Sequence, residues 1–332
     1  MSNTRVRDDD VRVPYFTFLL FYLFLYHAAK VRQTFRNSVA NNPNKYTIFG
    51  FVEDRLHLRK LQINLHFHSV CTIFAAMKHL YLLLLVFLLV ACADEQQPVH
   101  AVIDLQNPMT PVKDQQQSQS CWIYAMLAAI ETEHISRGDS VNLSAAWLES
   151  FAREEPQAQE KGRGMGATAL ALLQKHGVVG FDAMQHVDVP RPRRVFLYGV
   201  EYTPQEFARS VCAPGEYVCL TSNADSAYGR EILINEPDNW LRQRFLNVPI
   251  DTLLRRTVRA VSRGHGVSWE SKGHAMAIVG LAHDTVVQRR YFVMKNSWGK
   301  KHGDHGLDYM SFSYFRRYTL AVCMTREAFE EP

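Results

Sequence analysis

The chain has 332 residues, of which 47% are hydrophobic and 21% are charged, a balance typical of folded globular proteins. Its length allows one large domain or two modest ones. The first 92 residues hold 11 of the 37 Lys and Arg residues but only 5 of the 33 Asp and Glu residues, so the formal charge of +4 originates there. Residues 93–332 carry a net charge of about −2, which argues against a nucleic-acid partner.

Two apolar runs lie in the N-terminal third. Residues 14–29 are only just long enough for a membrane helix, and residues 30–76 show no sustained periodicity or clear helix caps. We interpret residues 1–76 as a doubtful N-terminal extension that results from a mis-assigned start. The alternative is a genuine membrane segment at residues 14–29.

The second apolar run predicts a signal peptide at residues 77–92. It has a short basic start at Met77, about ten apolar residues and a small residue, Ala91, before Cys92. The tetrad 89–92 (Leu-Val-Ala-Cys) resembles the lipobox of bacterial lipoproteins. That resemblance implies a lipid on Cys92, a polar tether over residues 93–107, and a domain held at the cell envelope outside the cytoplasm. A plain membrane anchor or buried helix is the alternative.

A polar, turn-prone segment runs into an apolar-periodic one at Cys121. Residues 121–135 have helical spacing, so the sequence places Cys121 at a helix N-terminus. The helix dipole and the free N–H groups there stabilise a thiolate and lower the thiol pKa. A thiolate is the attacking species in covalent acyl transfer. By itself this pattern is weak, because most such cysteines are buried and inert.

Two later segments supply the partners of such a nucleophile. His274 opens the apolar run 275–280, which predicts a buried strand, and a second predicted strand over residues 291–295 leads into Asn296. A Cys–His pair needs a group that orients the second imidazole nitrogen, and an Asn carbonyl can do so. Trp298 lies close enough in sequence to shield that hydrogen bond from water.

These three segments together resemble the papain family of cysteine peptidases. The resemblance extends over about residues 108–325 and implies that Cys121 is the nucleophile, His274 the base and later acid, and Asn296 the orienting residue. It also implies that Gln115 donates to the oxyanion, with Trp298 as the shield. No cofactor and no metal are implied. The substrates are expected to be peptides or proteins.

Four positions depart from the family pattern around the cysteine. Ser118 stands where a disulfide-forming cysteine is common, and three glutamines stand where smaller residues are usual: Gln116, Gln117 and Gln119. Bulkier side chains there are expected to crowd the cleft or alter its loop. They motivate an alternative function, a catalytically inactive papain-like binding module. Acyl transfer to an amine instead of water is a third possibility.

The region between Cys121 and His274 is most similar to the bleomycin hydrolase and bacterial aminopeptidase C branch. By resemblance, the segment Gly164-Met165-Gly166 binds substrate backbone; a flexible turn is the alternative. The chain lacks that branch's long C-terminal arm, so exopeptidase and endopeptidase specificity both stay open. The turn residues His302, Asp304 and His305 are interpreted as solvated loop residues and not as metal ligands.

We therefore predict an α+β fold with two lobes over residues 108–328. A helical N-terminal lobe carries Cys121, and a C-terminal lobe of antiparallel sheet carries His274 and Asn296, with the cleft between them. Cys212 and Cys219 are close enough in sequence to pair, and two reduced cysteines are an equal alternative. The sequence leaves the oligomeric state open.

Overall fold

The structure is a computed structural model that describes residues 100–156, 158, 163–197 and 199–330. The predicted signal peptide with Cys92, and the doubtful extension before it, lie outside the described residues. The helices are α1 Cys121–Ser136, α2 Ala145–Ala152, α3 Gly166–His176, α4 Pro204–Val211, α5 Ile250–Ser262, α6 Phe312–Tyr318 and α7 Arg326–Glu330. The strands are β1 Ala101–Gln106, β2 Val195–Leu197, β3 Val200–Tyr202, β4 Tyr217–Thr221, β5 Glu231–Leu233, β6 Arg244–Asn247, β7 Val267–Glu270, β8 Ala275–Asp284, β9 Arg290–Lys295, β10 Leu307–Ser311 and β11 Ala321–Thr325.

The predicted α+β fold with two lobes is confirmed. One apolar core lies among α1, α2, α3 and α4, and a second lies between the large sheet, α5 and α6. The strand order of that sheet is β10-β9-β8-β7-β11-β4-β6-β5, and β1 also pairs with β8. All of its pairings are antiparallel except that of β4 with β6.

Helix α1 is buried on nearly all sides. Its first ten residues are buried apart from the partly exposed Tyr124, and Glu131, Thr132 and Glu133 are buried as well. A helix enclosed in this way belongs to the interior of a domain. It packs on α3 and α2 on one side and on β7 and β8 on the other, so it joins the two lobes at the site.

A glycine allows the sheet to approach α1 closely. A Cβ placed on Gly266, just before β7, would lie 1.9 Å from the carbonyl oxygen of Ala129. No side chain fits at that distance, so only glycine permits this contact. The close approach brings the start of the sheet against the helix whose first residue is Cys121.

The folded part begins earlier than residue 108. Strand β1 lies inside the segment that was expected to be a tether, and it pairs with β8 in antiparallel register from Ala101 opposite Asp284 to Gln106 opposite Gly280. Strand β7 pairs with the preceding part of β8, from Ala275 to Ile278. The strand that follows His274 is therefore held along its whole length.

Side-chain caps and a glycine define the ends of three helices in the N-terminal lobe. The hydroxyl of Ser144 accepts a hydrogen bond from Trp147 N at the start of α2. Thr203 and Glu206 form a capping box at α4, and Gly177 ends α3 with a φ of +78°. None of the described helices combines the length and the apolar character that a bilayer-crossing segment requires.

Cys212 and Cys219, whose pairing the sequence left open, are not bonded to each other. Cys219 on β4 lies directly opposite Cys323 on β11, and these two form a disulfide. Cys212 is a free cysteine with 2% of its surface exposed. Burial raises its pKa to about 12, so it stays a neutral thiol at physiological pH.

Candidate active site

Helix α1 begins at Cys121, and the sulfur lies among polar groups although only 3% of the residue is exposed. Hydrogen bonds from the backbone N–H groups of Ala275 and Trp122 reach the sulfur. Burial raises the pKa of the Cys121 thiol, while the charge of Arg163 and those two N–H groups oppose the increase. The sequence had predicted a net decrease. The helix terminus does favour the thiolate, but desolvation is the larger effect.

His274 stands immediately before β8, so its ring lies at the same strand end as the N–H of Ala275 that faces the sulfur. The turn before it is closed by a hydrogen bond from Ser271 N to the His274 carbonyl, 2.8 Å long. Nε2 of His274 lies 3.0 Å from Oδ1 of Asn296. Burial lowers the pKa of the imidazole, and the Asn296 hydrogen bond opposes that decrease.

The side-chain amide of Asn296 makes three hydrogen bonds within the described residues. Its Oδ1 faces His274 and also accepts from the backbone N–H of Ser297 at 2.7 Å. Its Nδ2 donates to Oδ2 of Asp308 at 2.6 Å. Asp308 lies on β10, which pairs with β9 where Asn296 follows. Sequence reasoning missed Asp308; the only signal was a single carboxylate within an otherwise apolar and hydroxyl-bearing strand.

Trp298 covers the histidine–asparagine pair. Its ring stacks on His274 with centroids 4.5 Å apart and an interplanar angle of 24°. Trp298 also contacts the ring of His302 in an edge-on arrangement, with ring centroids 4.6 Å apart. His302 also lies 3.2 Å from Asp308 through Nε2, so it is more than the solvated loop residue that the sequence suggested. Among the described residues no His, Cys, Asp or Glu group is suited to hold a metal.

Gln115 lies beside the strand end that carries Asn296. Its backbone N–H donates to the Ser297 carbonyl at 2.7 Å, and its Oε1 accepts from the Ser297 hydroxyl. Its Nε2 donates to the carbonyl of Ser118. A primary amide carries two hydrogens on nitrogen, so one remains for another acceptor. Gln116, Gln117 and Gln119 are exposed to solvent.

The segment 164–166 packs against α1 and is buried. A Cβ on Gly164 would lie 2.9 Å from the Trp122 indole, so the glycine allows the chain to lie flat on that ring. Met165 is 1% exposed and packs with Phe245, so its side chain lies in the core, and the binding of substrate backbone by this segment stays a prediction. The N–H of Gly166 donates to a Glu270 carboxylate oxygen.

A buried acid beside the thiol is a feature that sequence reasoning missed. Glu270 ends β7, opposite Ala275 of β8, and 3% of its surface is exposed. One carboxylate oxygen accepts from Gly166 N at 3.2 Å, and the other has no hydrogen-bond partner within the described part of the chain. Burial raises the pKa of Glu270 to about 7, with the Gly166 N–H and Arg163 opposing. Its charge raises the pKa of the Cys121 thiol.

We expect Glu270→Gln to stabilise the protein above neutral pH and not at acidic pH. The folded pKa of about 7 lies above the value of roughly 4.3 in an unfolded chain. Between those values the folded state binds the extra proton, so the free energy of unfolding falls as pH rises through this window. Denaturant unfolding at pH 4.5 and pH 8 measures the difference. The exposed Glu201→Gln is the control, and an equal effect of Glu270→Gln at both pH values would contradict the burial argument.

Comparison with known proteins agrees with this geometry. Residues 100–325, about two thirds of the chain, match the papain family cysteine protease profile. The chain belongs to the papain family of cysteine proteases. It is 26% identical over 201 residues to a cysteine proteinase of Theileria parva, covering 60% of this chain and 40% of that protein. It is 27% identical over 210 residues to the thiol protease SEN102 of Hemerocallis, covering 60% and 50%.

The chain thus spans half or less of these two relatives' length. Among solved structures it is similar to pepw from Lactobacillus rhamnosis, with a TM-score of 0.53 and 15% identity, covering 68% of this chain and 82% of that one. At that identity the likeness concerns the fold alone. Like other members of this family, the chain combines a helical lobe with a lobe rich in antiparallel strands.

Proposed function

We propose that this chain hydrolyses peptide bonds with Cys121 as nucleophile, His274 as proton carrier and Asn296 as the residue that orients the imidazole. The observation that carries the proposal is the 3.0 Å contact between His274 Nε2 and Asn296 Oδ1, at the strand end whose next N–H faces the Cys121 sulfur. Because Asn296 occupies Nε2, the other ring nitrogen, Nδ1, is left to take the thiol proton.

The charges of sulfur and imidazole support each other. Burial acts against a lone thiolate and against a lone imidazolium, as the raised pKa of Cys121 and the lowered pKa of His274 indicate. Transfer of the thiol proton to His274 forms both charges at once, and their attraction offsets the desolvation of each. The amide carbonyl of Asn296 then faces a ring N–H in either protonation state.

The reaction proceeds in two acyl-transfer steps. The sulfur attacks the peptide carbonyl carbon, and the C–S bond forms as the carbonyl π electrons move to oxygen. The Cys121 backbone N–H and the second Nε2 hydrogen of Gln115 stabilise that oxyanion. His274 gives its proton to the leaving nitrogen, the C–N bond breaks and a thioester remains. Water, deprotonated by His274, then releases the acid and restores the thiol.

The proposal includes both exopeptidase and endopeptidase action. Arg163, next to Gly164, makes two contacts. Its backbone carbonyl accepts a hydrogen bond from Trp240 Nε1 at 2.9 Å, and its guanidinium lies 3.5 Å from the Asp238 carboxylate. Lys272, in the turn before His274, pairs with Glu236 at 2.9 Å. These two ion pairs lie in the part of the chain that resembles the bleomycin hydrolase branch. On this resemblance we propose that the chain is a member of that branch.

We further propose that the peptidase is lipid-anchored at the cell envelope. The support is the tetrad ending at Cys92 after an apolar run that begins near Met77. Strand β1 starts at Ala101, so only residues 93–100 separate the lipid from the folded domain. Metabolic labelling with a fatty acid analogue tests this: wild type is labelled, and Cys92→Ser is not.

Digestion of a mixed peptide library tests the peptidase proposal. We expect wild type to produce cleaved peptides, and a thiol-directed irreversible peptidase inhibitor to abolish their formation. The positions of the cuts separate exopeptidase from endopeptidase action. Absence of cleavage by folded wild type, or cleavage that the inhibitor leaves intact, would reject the proposal, and the former would favour an inactive binding module.

A further inference from the structure

We infer that Asp308 is a positioning residue for the reaction: its carboxylate holds the amide of Asn296 in the orientation that His274 requires, and His302 holds that carboxylate. The inference rests on the proposed roles of His274 and Asn296. It concerns a continuous chain of side-chain contacts, His274 Nε2 to Asn296 Oδ1 at 3.0 Å, Asn296 Nδ2 to Asp308 Oδ2 at 2.6 Å and Asp308 Oδ2 to His302 Nε2 at 3.2 Å.

The chemistry of an asparagine side chain explains why a carboxylate is useful there. Oxygen and nitrogen of the amide have nearly the same shape, so a half-turn about the last bond exchanges acceptor and donor. His274 offers Nε2–H and needs the oxygen. An ionised carboxylate only accepts hydrogen bonds, so Asp308 selects the orientation in which Nδ2 faces it and Oδ1 faces the imidazole. The Ser297 N–H supports the same orientation with a neutral contact.

Asp308 is itself held on two sides. Its Oδ2 accepts from Asn296 and faces His302, while its Oδ1 lies near Gly303, where an added Cβ would come within 2.9 Å. The side chain is 20% exposed, so its charge is only partly screened by water. Trp298 lies between the two histidines, stacked on His274 and edge-on to His302, and it separates the contact chain from solvent on that side.

Charge at this position acts on the catalytic imidazole. The charged groups that influence His274 are Arg163 and His302, which lower its pKa, and Asp308, which raises it. The imidazolium is the form that gives a proton to the leaving nitrogen. A carboxylate behind Asn296 therefore extends the pH range over which His274 stays protonated, and the alkaline limb of kcat/KM reports that range.

Two substitutions separate geometry from charge. Asp308→Leu removes both the acceptor and the charge, and we expect kcat to fall about tenfold with KM within about twofold. Asp308→Asn keeps an acceptor without the charge, so it should recover part of kcat while the alkaline limb moves to lower pH. His302→Gln should move the limb in the opposite direction. Asp304→Asn is the matched control, because it removes an exposed carboxylate from the same turn without contacting Asn296.

The pKa of His274, followed by NMR in the full chain, provides a readout that needs no hydrolysis. We expect a lower value in Asp308→Asn and an unchanged value in Asp304→Asn. Thermal unfolding of each variant identifies any loss of folded protein. Equal His274 titration in the two variants would overturn the inference, even if wild type is fully active. If wild type cleaves no peptide but the titration differs as expected, the proposed function fails and the positioning role stands.

Discussion

Replacing Cys121 with alanine should abolish peptide hydrolysis while leaving the protein folded. In the proposed mechanism the substitution removes the atom that forms the covalent bond to the substrate, and loss of such a nucleophile typically lowers kcat by roughly 10⁴- to 10⁶-fold. The side chain is small and lies at the first residue of α1, so the helix and its packing persist. Initial rates on a peptide found in the library digest, with thermal unfolding measured in parallel, check both parts.

Cys212→Ala is the matched control for this loss. Cys212 is also a free, buried cysteine, but it directly follows α4 and its carbonyl accepts a hydrogen bond from Gln174 on α3, away from His274. We expect its hydrolysis rate to equal that of wild type. His274→Ala should resemble Cys121→Ala, and Asn296→Ala should be less severe because it acts through the imidazole. Retained hydrolysis in Cys121→Ala would remove the basis of the proposed mechanism.

Replacing Glu131 with glutamine should destabilise the protein by about 3–5 kcal/mol, the usual cost of breaking a buried ion pair. Glu131 lies in the middle of α1 with no exposed surface and accepts from Lys113 Nζ, the Thr110 hydroxyl and Leu143 N. Lys295 Nζ lies 3.8 Å away. Burial lowers the pKa of Lys295 to about 8, and Glu131 opposes this. Without the carboxylate, buried ammonium groups lose their counter-charge.

This buried cluster also connects the segments that carry the proposed catalytic residues. Glu131 lies on the helix that begins with Cys121, Lys295 directly precedes Asn296, and Lys113 lies two residues before Gln115. We therefore expect Glu131→Gln to lower kcat as well as the free energy of unfolding, measured by denaturant titration and by initial rates at a temperature where the variant is folded.

Two further variants test the origin of that effect. Glu133→Gln, two residues further along α1, breaks a buried carboxylate's contacts with His265 and the half-exposed Arg137, away from Asn296; it should cost less stability and leave kcat unchanged. Lys295→Met in the Glu131→Gln background should restore stability by removing an unpaired buried charge. If Glu131→Gln is as stable as wild type, the ion cluster is not a structural element.

The parts of the site that could be predicted from the sequence are those encoded within a few residues. The cysteine at a helix start, the histidine before an apolar strand and the asparagine after the next strand each follow from local patterns, as do the caps at Ser144 and Thr203. Their order along the chain then indicated the family. Each of these signals requires only nearest neighbours in sequence, which is why it can be read without knowing the sheet order.

The features that were missed depend on contacts between distant segments. Cys219 pairs with Cys323, 104 residues away, because β4 and β11 are neighbours in the sheet; strand order of this kind is not written in local periodicity. The environments of Asp308 and Glu270 also depend on distant segments. Asp308 contacts Asn296 because β9 lies beside β10, and Glu270 is buried because α3 packs against β7. Their individual strands show only that each is an acid in an otherwise uncharged or apolar run.

The burial of α1 is a second feature that could not be predicted from the sequence. Alanines and other apolar residues occur on most faces of this helix, and periodicity over such a sequence does not tell one buried face from several. Only the two lobes packing on opposite sides enclose it. That enclosure also reverses the expected direction of the Cys121 thiol pKa, because desolvation outweighs the helix terminus. In the proposed mechanism, the thiolate therefore forms only by proton transfer to the imidazole of His274.

The pH dependence of Cys121 alkylation is therefore the most direct test of the account. Rates of reaction with iodoacetamide, followed at Cys121 by mass spectrometry between pH 5 and pH 10, are compared in wild type and His274→Ala. We predict that wild-type Cys121 reacts readily near pH 7, and that His274→Ala reacts only above the ordinary thiol pKa of about 8.5. Superimposable profiles in the two proteins would contradict the claim that His274 activates the sulfur.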